Sequence, residues 1–143
     1  EQVFSYAYKN GVETVLNPAP ANKPSDILLQ NTSWFIPNEI EFEEIYGDVF
    51  NENNLLLFAK NIDTNVVVTL GEKGCAYIKN NSVKIIKADS VKAIDTTGAG
   101  DAFVGAFSFA LASKLDIEEC LKLALKKATD SVTKKGTQSS YKN

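Results

Sequence analysis

The sequence predicts a layered α/β fold in which a mostly parallel central sheet is flanked by helices. The run NVVVTLG at 65–71 is rich in β-branched residues, which is typical of a central strand in a parallel sheet. Segments with strand character alternate with segments of helical spacing along the chain. With 143 residues, of which 44% are hydrophobic, the chain has enough apolar material for one compact core.

Apolar spacing predicts four helices in the first half, at 3–9, 25–31, 38–47 and 51–60. Ser25 and Asn38 are suited to cap their helices, because their side chains accept hydrogen bonds from first-turn N–H groups. Gly47 is expected to end the third helix. Two strands are predicted between these helices, a buried one at 12–18 and a short one at 33–37.

A hairpin and two long helices are predicted in the second half. CAYIK at 75–79 and VKIIKA at 83–88 have strand character, and the residues NS between them suit an antiparallel turn. VKAID at 91–95 is expected to be extended. Helices are then predicted at 98–113 and 116–132, so the chain ends in a helical third.

Composition excludes several classes of function. The net charge of −3 argues against nucleic acid as a partner, because such proteins carry a basic stripe. Cys75 and Cys120 are far apart in a chain without histidine, which excludes the usual zinc spacings and predicts two buried thiols in a reducing compartment. No apolar run is long enough to span a membrane, so we expect a cytoplasmic protein.

The first residues suggest that the chain is a piece of a longer protein. There is no methionine, and the sequence opens within a segment of helical spacing.

The stretch AIDTTGAGDAFVGAF at 93–107 carries the clearest chemistry. A glycine-containing turn that leads into a helix directs several backbone N–H groups, and the positive end of the helix, at one point. Asp101 lies beside that predicted anion site, where a carboxylate is useful if it takes a proton from a hydroxyl that attacks a phosphate. Alternatively, Gly98 and Gly100 only shape a turn and Asp101 only stabilises the helix start; local spacing leaves both interpretations open.

The segment DTTGAGDAFVGAF closely resembles the second signature of the ribokinase-like (pfkB) carbohydrate kinases. Further matches follow in the family's order, and together they cover nearly the whole chain: NPAPA at 17–21, PNEIEFEEIYG at 37–47, VVVTLGEKG at 66–74 and VTKKGTQSSY at 132–141. The resemblance implies the ribokinase-like α/β fold and ATP-dependent phosphorylation of a sugar. NPAPA and GTQSSY favour the members that phosphorylate D-ribose at its 5-hydroxyl.

The resemblance also implies roles for individual residues. Asp101 corresponds to the catalytic base that contacts the sugar hydroxyl, and the N–H groups from Thr97 through Gly98, Ala99 and Gly100 correspond to the anion hole. The residues expected to contact ATP are Asn38, Thr69, Leu70, Gly71, Glu72, Lys73, Gly74 and Gly100. Glu41 is expected to help hold Mg²⁺ through water. The residues expected around K⁺ are Asp95, Thr97, Ser131, Lys134, Gly136 and Ser140.

Two of these motifs also have a purely structural interpretation, and one position departs from the family. Taken alone, NEIE at 38–41 indicates a helix cap with solvated glutamates, and TLGEKG at 69–74 indicates a turn between a strand and a hairpin. Only their place among the other motifs favours the nucleotide roles. Leu125 stands where family members often have Asn or His near the adenine, which puts that contact in doubt.

The resemblance covers only the C-terminal, ATP-binding part of the family's domain, so the predicted fold is incomplete. The family's sugar-gripping residues and the lid that forms a homodimer have no counterpart in 1–143. We therefore expect this chain alone to be inactive or nearly so, and to associate through exposed apolar surface. Two other functions remain open: a kinase of the same family for another sugar or a nucleoside, and a non-catalytic nucleotide-binding module in which Asp101 is not a base.

Overall fold

The computed structural model describes residues 1–133, 135 and 136. The helices of this part are α1 Gln2–Lys9, α2 Asp26–Gln30, α3 Glu39–Tyr46, α4 Glu52–Ile62, α5 Ala99–Ala112 and α6 Ile117–Val132. The strands are β1 Val15–Leu16, β2 Trp34–Phe35, β3 Asn65–Thr69, β4 Cys75–Lys79 and β5 Ser82–Ile86. A 3-10 turn, Gly71–Lys73, lies between β3 and β4. The predicted helices are confirmed, with ends that shift by a residue or two.

The strands form one mixed sheet in the order β1-β2-β3-β4-β5. Strand β2 pairs in parallel with β1 on one side and with β3 on the other. The links from β3 to β4 and from β4 to β5 are too short for the crossover that parallel strands need, so these pairs are antiparallel. The α/β class and the predicted β4–β5 hairpin are thus confirmed.

Two predictions for the strands need correction. Strand β1 is two half-buried residues, not a buried strand over 12–18, because it lies at the edge of the described sheet. The hairpin turn is Asn80-Asn81, one residue earlier than predicted; both have positive φ, +52° and +56°, as a type I′ turn requires. Residues 91–95 belong to no helix or strand, and the N–H groups of Ile94 and Asp95 donate to the carbonyl of Val132.

The chain divides into two compact units, residues 1–70 with 76–85, and residues 71–75 with those from 86 onward. In the first unit, the rings of Phe42, Phe50 and Phe58 pack with centroids 5.4 to 5.7 Å apart around Phe42, which is fully buried. In the second unit, α5 packs along α6 and buries Phe103 and Phe107, whose rings stack at 6.5 Å. Each unit therefore has its own apolar interior.

Both cysteines are buried, as predicted, and neither forms a disulfide within the described residues. Burial raises the pKa of the Cys75 thiol to about 12. Among the helices described, none combines the length and the apolar character needed to cross a bilayer.

Candidate active site

Two of the predicted nucleotide-binding residues lie side by side in the first unit, at the carboxyl ends of parallel strands. Asn38 follows β2 and forms an isolated parallel bridge with Thr69, the last residue of β3. The N–H of Thr69 donates to the carbonyl of Pro37 at 3.0 Å. Ligands of open α/β sheets bind at this end of the strands, so the placement is one that a binding role requires.

Asn38 and Glu41 form a reciprocal cap at the start of α3. The N–H of Glu41 donates to Asn38 Oδ1, and the N–H of Asn38 donates to Glu41 Oε2, each at 2.8 Å. Glu41 is only 8% exposed, whereas Asn38 is exposed. The predicted helix cap at NEIE is therefore confirmed, but Glu41 is buried and not solvated, because its carboxylate turns back to the Asn38 N–H. The cap uses Glu41 Oε2 and leaves Glu41 Oε1 without a hydrogen-bond donor among the described residues.

The predicted nucleotide loop is a tight turn in the second unit. Gly71 and Gly74 both have positive φ, +58° and +106°, and the N–H of Gly74 donates to the carbonyl of Gly71 at 3.1 Å. Between them, Glu72 and Lys73 are exposed in the 3-10 turn, while Leu70, which belongs to the first unit, is buried. The turn that joins the strand to the hairpin is thus real, and it presents polar residues to solvent.

The start of α5 is shaped by Gly98, the N-cap, which has φ +81° and offers no side chain. The N–H of Ala102 donates to the Gly98 carbonyl at 2.9 Å, which closes the first helical turn, and the N–H of Ala99 reaches the Thr96 carbonyl at 3.3 Å. Within the described part of the chain, the N–H groups of Gly100 and Asp101 have no acceptor. These are the donors that an anion would find at the positive end of the helix.

Asp101 stands in the first turn of α5 and is exposed. Its carboxylate has no ion-pair or hydrogen-bond partner within 1–133, 135 and 136. An exposed carboxylate next to open backbone donors is free to meet a substrate hydroxyl, and a general base needs that access.

Asp95 forms hydrogen bonds with two segments around the predicted potassium site. Its Oδ1 accepts the N–H of Thr97 at 3.0 Å, and its Oδ2 accepts the N–H of Gly136 at 3.1 Å. The hydrogen bonds from Thr97, then that from Gly136, lower the pKa of Asp95, and the charge of Lys135 adds to them. The Thr97 N–H, one of the predicted anion-hole donors, is therefore already hydrogen-bonded to Asp95.

The remaining predicted potassium residues are only partly described. Ser131 is buried, and its hydroxyl donates to the Ala128 carbonyl at 2.7 Å. Lys134 and Ser140 lie outside the described residues. The carbonyl of Val132, which sequence reasoning missed, accepts the N–H of Ile94 at 2.7 Å and that of Asp95 at 3.2 Å. No local pattern marks Val132 for that role, because its partners are distant in sequence.

Glu41 and Asp95 offer oxygen ligands that suit two different cations. Mg²⁺ binds through one or two carboxylates with several waters and substrate phosphates, and Glu41 with its open Oε1 fits that need. Asp95 retains acceptor sites on both carboxylate oxygens beyond its two N–H bonds, and these oxygens suit a weakly hydrated cation. Among the described residues, no group of three or more Asp, Glu or Cys side chains forms a direct metal cage.

Two further observations delimit the site. Leu125 is 7% exposed, so it offers little surface to an adenine ring. A half-open cleft of about 670 Å³ in the first unit is lined by residues at the opposite ends of the strands, including Trp34, Lys60, Asn65 and Asn81. None of the predicted site residues lines that cleft.

Comparison with known proteins adds an independent finding. The family model described as pfkB family carbohydrate kinase matches residues 1–143. The chain is 44% identical to the ribokinase of Haemophilus influenzae over 146 residues, which cover 98% of this chain and 47% of that protein. It is 38% identical to the deoxyribokinase of Salmonella typhi over 144 residues, which cover 96% of this chain and 47% of that protein.

Solved structures agree with these relatives. The ribokinase of Thermotoga maritima superposes with a TM-score of 0.85 at 32% identity, over 98% of this chain and 49% of that one. The ribokinase of Arabidopsis thaliana, solved in complex with ribose and ATP, gives a TM-score of 0.86 at 28% identity, over 97% of this chain and 47% of that one. The chain thus spans about half the length of the relatives it matches.

Proposed function

Since this chain belongs to the pfkB family of carbohydrate kinases, we propose that the protein transfers the terminal phosphoryl group of ATP to the 5-hydroxyl of D-ribose. The products are ribose 5-phosphate and ADP. The observation that carries the proposal is the exposed Asp101 carboxylate in the first turn of α5, next to backbone donors that have no acceptor in the described chain. The ribokinase relatives support ribose as the acceptor.

Asp101 acts as the general base in this proposal. Its carboxylate takes the proton of the sugar hydroxyl as the new O–P bond forms and the bond to the leaving ADP oxygen breaks. Negative charge that develops on the moving phosphoryl group meets the N–H groups of Gly100 and Asp101 at the positive end of α5. Such preorganised donors are each worth about 3 kcal/mol of barrier. The helix start thus supplies both proton acceptance and charge stabilisation.

The nucleotide contacts are proposed on the basis of the family resemblance. Asn38 and Thr69, at the carboxyl ends of β2 and β3, are proposed to contact ATP. The exposed turn Gly71–Lys73, with Gly74, is proposed to contact it as well. Glu41, whose Oε1 is open, would hold a hydrated Mg²⁺, and that ion would neutralise phosphate charge.

A potassium ion is proposed beside Asp95, with Thr97, Ser131 and Gly136 as neighbours. An ion bound there would stiffen the segment that leads into α5. We expect the rate of the intact protein to rise when K⁺ replaces Na⁺ at equal ionic strength. Equal rates in the two salts would contradict this part of the proposal.

Asp101→Asn in the intact protein is the decisive test of the reaction. The substitution keeps size and polarity but removes the base, so we expect turnover to fall by about 100-fold or more while ATP binding is retained. Asp26→Asn is the matched control, because Asp26 is an exposed carboxylate in the first turn of α2. Full turnover in Asp101→Asn would refute the mechanism, and retained binding with no turnover would argue against a defective fold.

A second acceptor, 2-deoxy-D-ribose, is favoured by the deoxyribokinase relative, which matches about as well as the ribokinases. The two sugars differ by one hydroxyl. Comparing kcat/KM for ribose and deoxyribose in the same preparation decides between them, and a preference for deoxyribose would replace ribose in the proposal.

We propose, from the family resemblance, that the active protein is a cytoplasmic homodimer. A reducing compartment is consistent with two buried cysteines that form no disulfide in the described chain. Because the chain spans about half the length of its relatives, we still expect the 143 residues alone to be nearly inactive and to associate. Full turnover by a monomer of this chain would contradict both expectations.

A further inference from the structure

Gly74 occupies a position that no other residue fits. Its φ is +106°, a conformation that residues with a side chain rarely adopt. A Cβ at Gly74 would overlap the carbonyl oxygen of Ile86 and would lie 2.8 Å from the amide nitrogen of Ala88. The backbone of 86–88 therefore passes through the space that a side chain would need.

The obstruction cannot be relieved by a rotamer change. All three of the nearest atoms belong to the main chain, two of them to Ile86, the last residue of β5, and one to Ala88. An added methyl group would have to push the turn and the 86–88 segment apart. The N–H of Gly74 also donates to the Gly71 carbonyl at 3.1 Å, so a displacement at Gly74 is transmitted to the turn Gly71–Lys73.

From this close approach we infer that Gly74 is a positioning residue: it seats the turn Gly71–Lys73 against the 86–88 segment and so sets where the turn meets ATP. The inference rests on the proposed function, in which this turn contacts the nucleotide. Gly74 acts through the backbone that it allows to approach. A misplacement of about 1 Å at a reacting or binding group lowers rates by up to about 100-fold.

The test compares Gly74→Ala with Gly47→Ala. Gly47 ends α3 with φ +89°, but a Cβ there meets nothing within 4 Å, so this control carries the conformational strain without the clash. We expect Gly74→Ala in the intact protein to raise the KM for ATP by about 10- to 100-fold while the KM for the sugar stays unchanged. Gly47→Ala should leave both KM values unchanged. Equal ATP KM values for Gly74→Ala and the unmodified protein would overturn the inference.

If Gly74→Ala does not fold, a second measurement tests the inference. Hydrogen exchange of the unmodified protein is followed with and without Mg²⁺-ADP. We expect ADP to slow exchange both in the peptide that contains 71–75 and in the peptide that contains 86–88. Slowing in 71–75 alone would show that the segment does not support the turn, which overturns the inference.

The same data separate the two proposals. If ADP slows exchange in both peptides but the protein does not phosphorylate ribose or deoxyribose, the proposed reaction fails and the role of Gly74 stands. If ADP does not bind, the role of Gly74 fails together with the nucleotide-binding part of the proposed function.

Discussion

Replacing Glu41 with alanine and with glutamine separates its role as a helix cap from its proposed role at Mg²⁺. Glu41→Ala removes the acceptor of the Asn38 N–H and the packing of a side chain that is only 8% exposed. A lost cap costs about 1 kcal/mol, the lost methylene packing adds a similar amount, and alanine's helix propensity offsets part of it. We expect a net loss of about 1 to 2 kcal/mol. Glu41→Gln keeps an acceptor oxygen and the packing, so its stability should change by less than about 0.5 kcal/mol.

Urea denaturation followed by the helical circular dichroism signal measures both variants. In the kinase assay, Glu41→Gln should still raise the Mg²⁺ concentration needed for half-maximal activity, because the amide carries no charge. If the glutamine variant is as unstable as the alanine variant, the stabilisation comes from charge and the capping argument is wrong. If its Mg²⁺ requirement is unchanged, Glu41 is only a cap.

Three further predictions concern charge, burial and packing. The pKa of Asp95 is lowered, so its contribution to stability is present above the unfolded-state pKa of about 4 and is lost as pH falls through the folded-state pKa. In urea titrations, the difference in unfolding free energy between the unmodified protein and Asp95→Asn should be constant from about pH 5 to 8 and shrink below about pH 4. A difference that is still unchanged at about pH 3 would contradict this prediction. Cys75, with a pKa of about 12, should resist a thiol-specific reagent at pH 8 in a Cys120→Ala background until urea unfolds the chain, and rapid native labelling would refute its burial. Phe42→Ala should cost about 3 to 5 kcal/mol in chemical denaturation, against less than about 0.5 for the exposed Tyr6→Ala; a small loss at Phe42 would mean that the aromatic cluster is not packed as described.

The helices were predictable because their determinants are local. Ser25 and Asn38 accept the first-turn N–H groups that a cap requires, and Gly47 takes the left-handed conformation expected of a helix end. The strands were less predictable. How much of 12–18 becomes β1 depends on pairing with β2, which lies far along the chain, and on the edge position of β1 in the described sheet.

Some contacts of the candidate site were likewise predictable from the sequence, and others were not. The bond from the Thr97 N–H to Asp95 spans two residues and follows a common aspartate turn, so the sequence contained its signal. The bond from Gly136 to Asp95 and the approach of Ile86 to Gly74 join residues that only the fold brings together. The roles at ATP, Mg²⁺ and K⁺ stay predictions that binding and rate measurements must test.

The pair of hydrogen bonds at the Val132 carbonyl has a consequence for shortened forms of the chain. Because the last turn of α6 holds Ile94 and Asp95 by their backbones, a stop codon at position 132 would release the approach to α5 while most of both helices survived. Such a product would retain much of its helical spectrum yet lose the order of the loop before Asp101. Deletions from position 132 onward would then lower the activity of the protein before they unfold its helices.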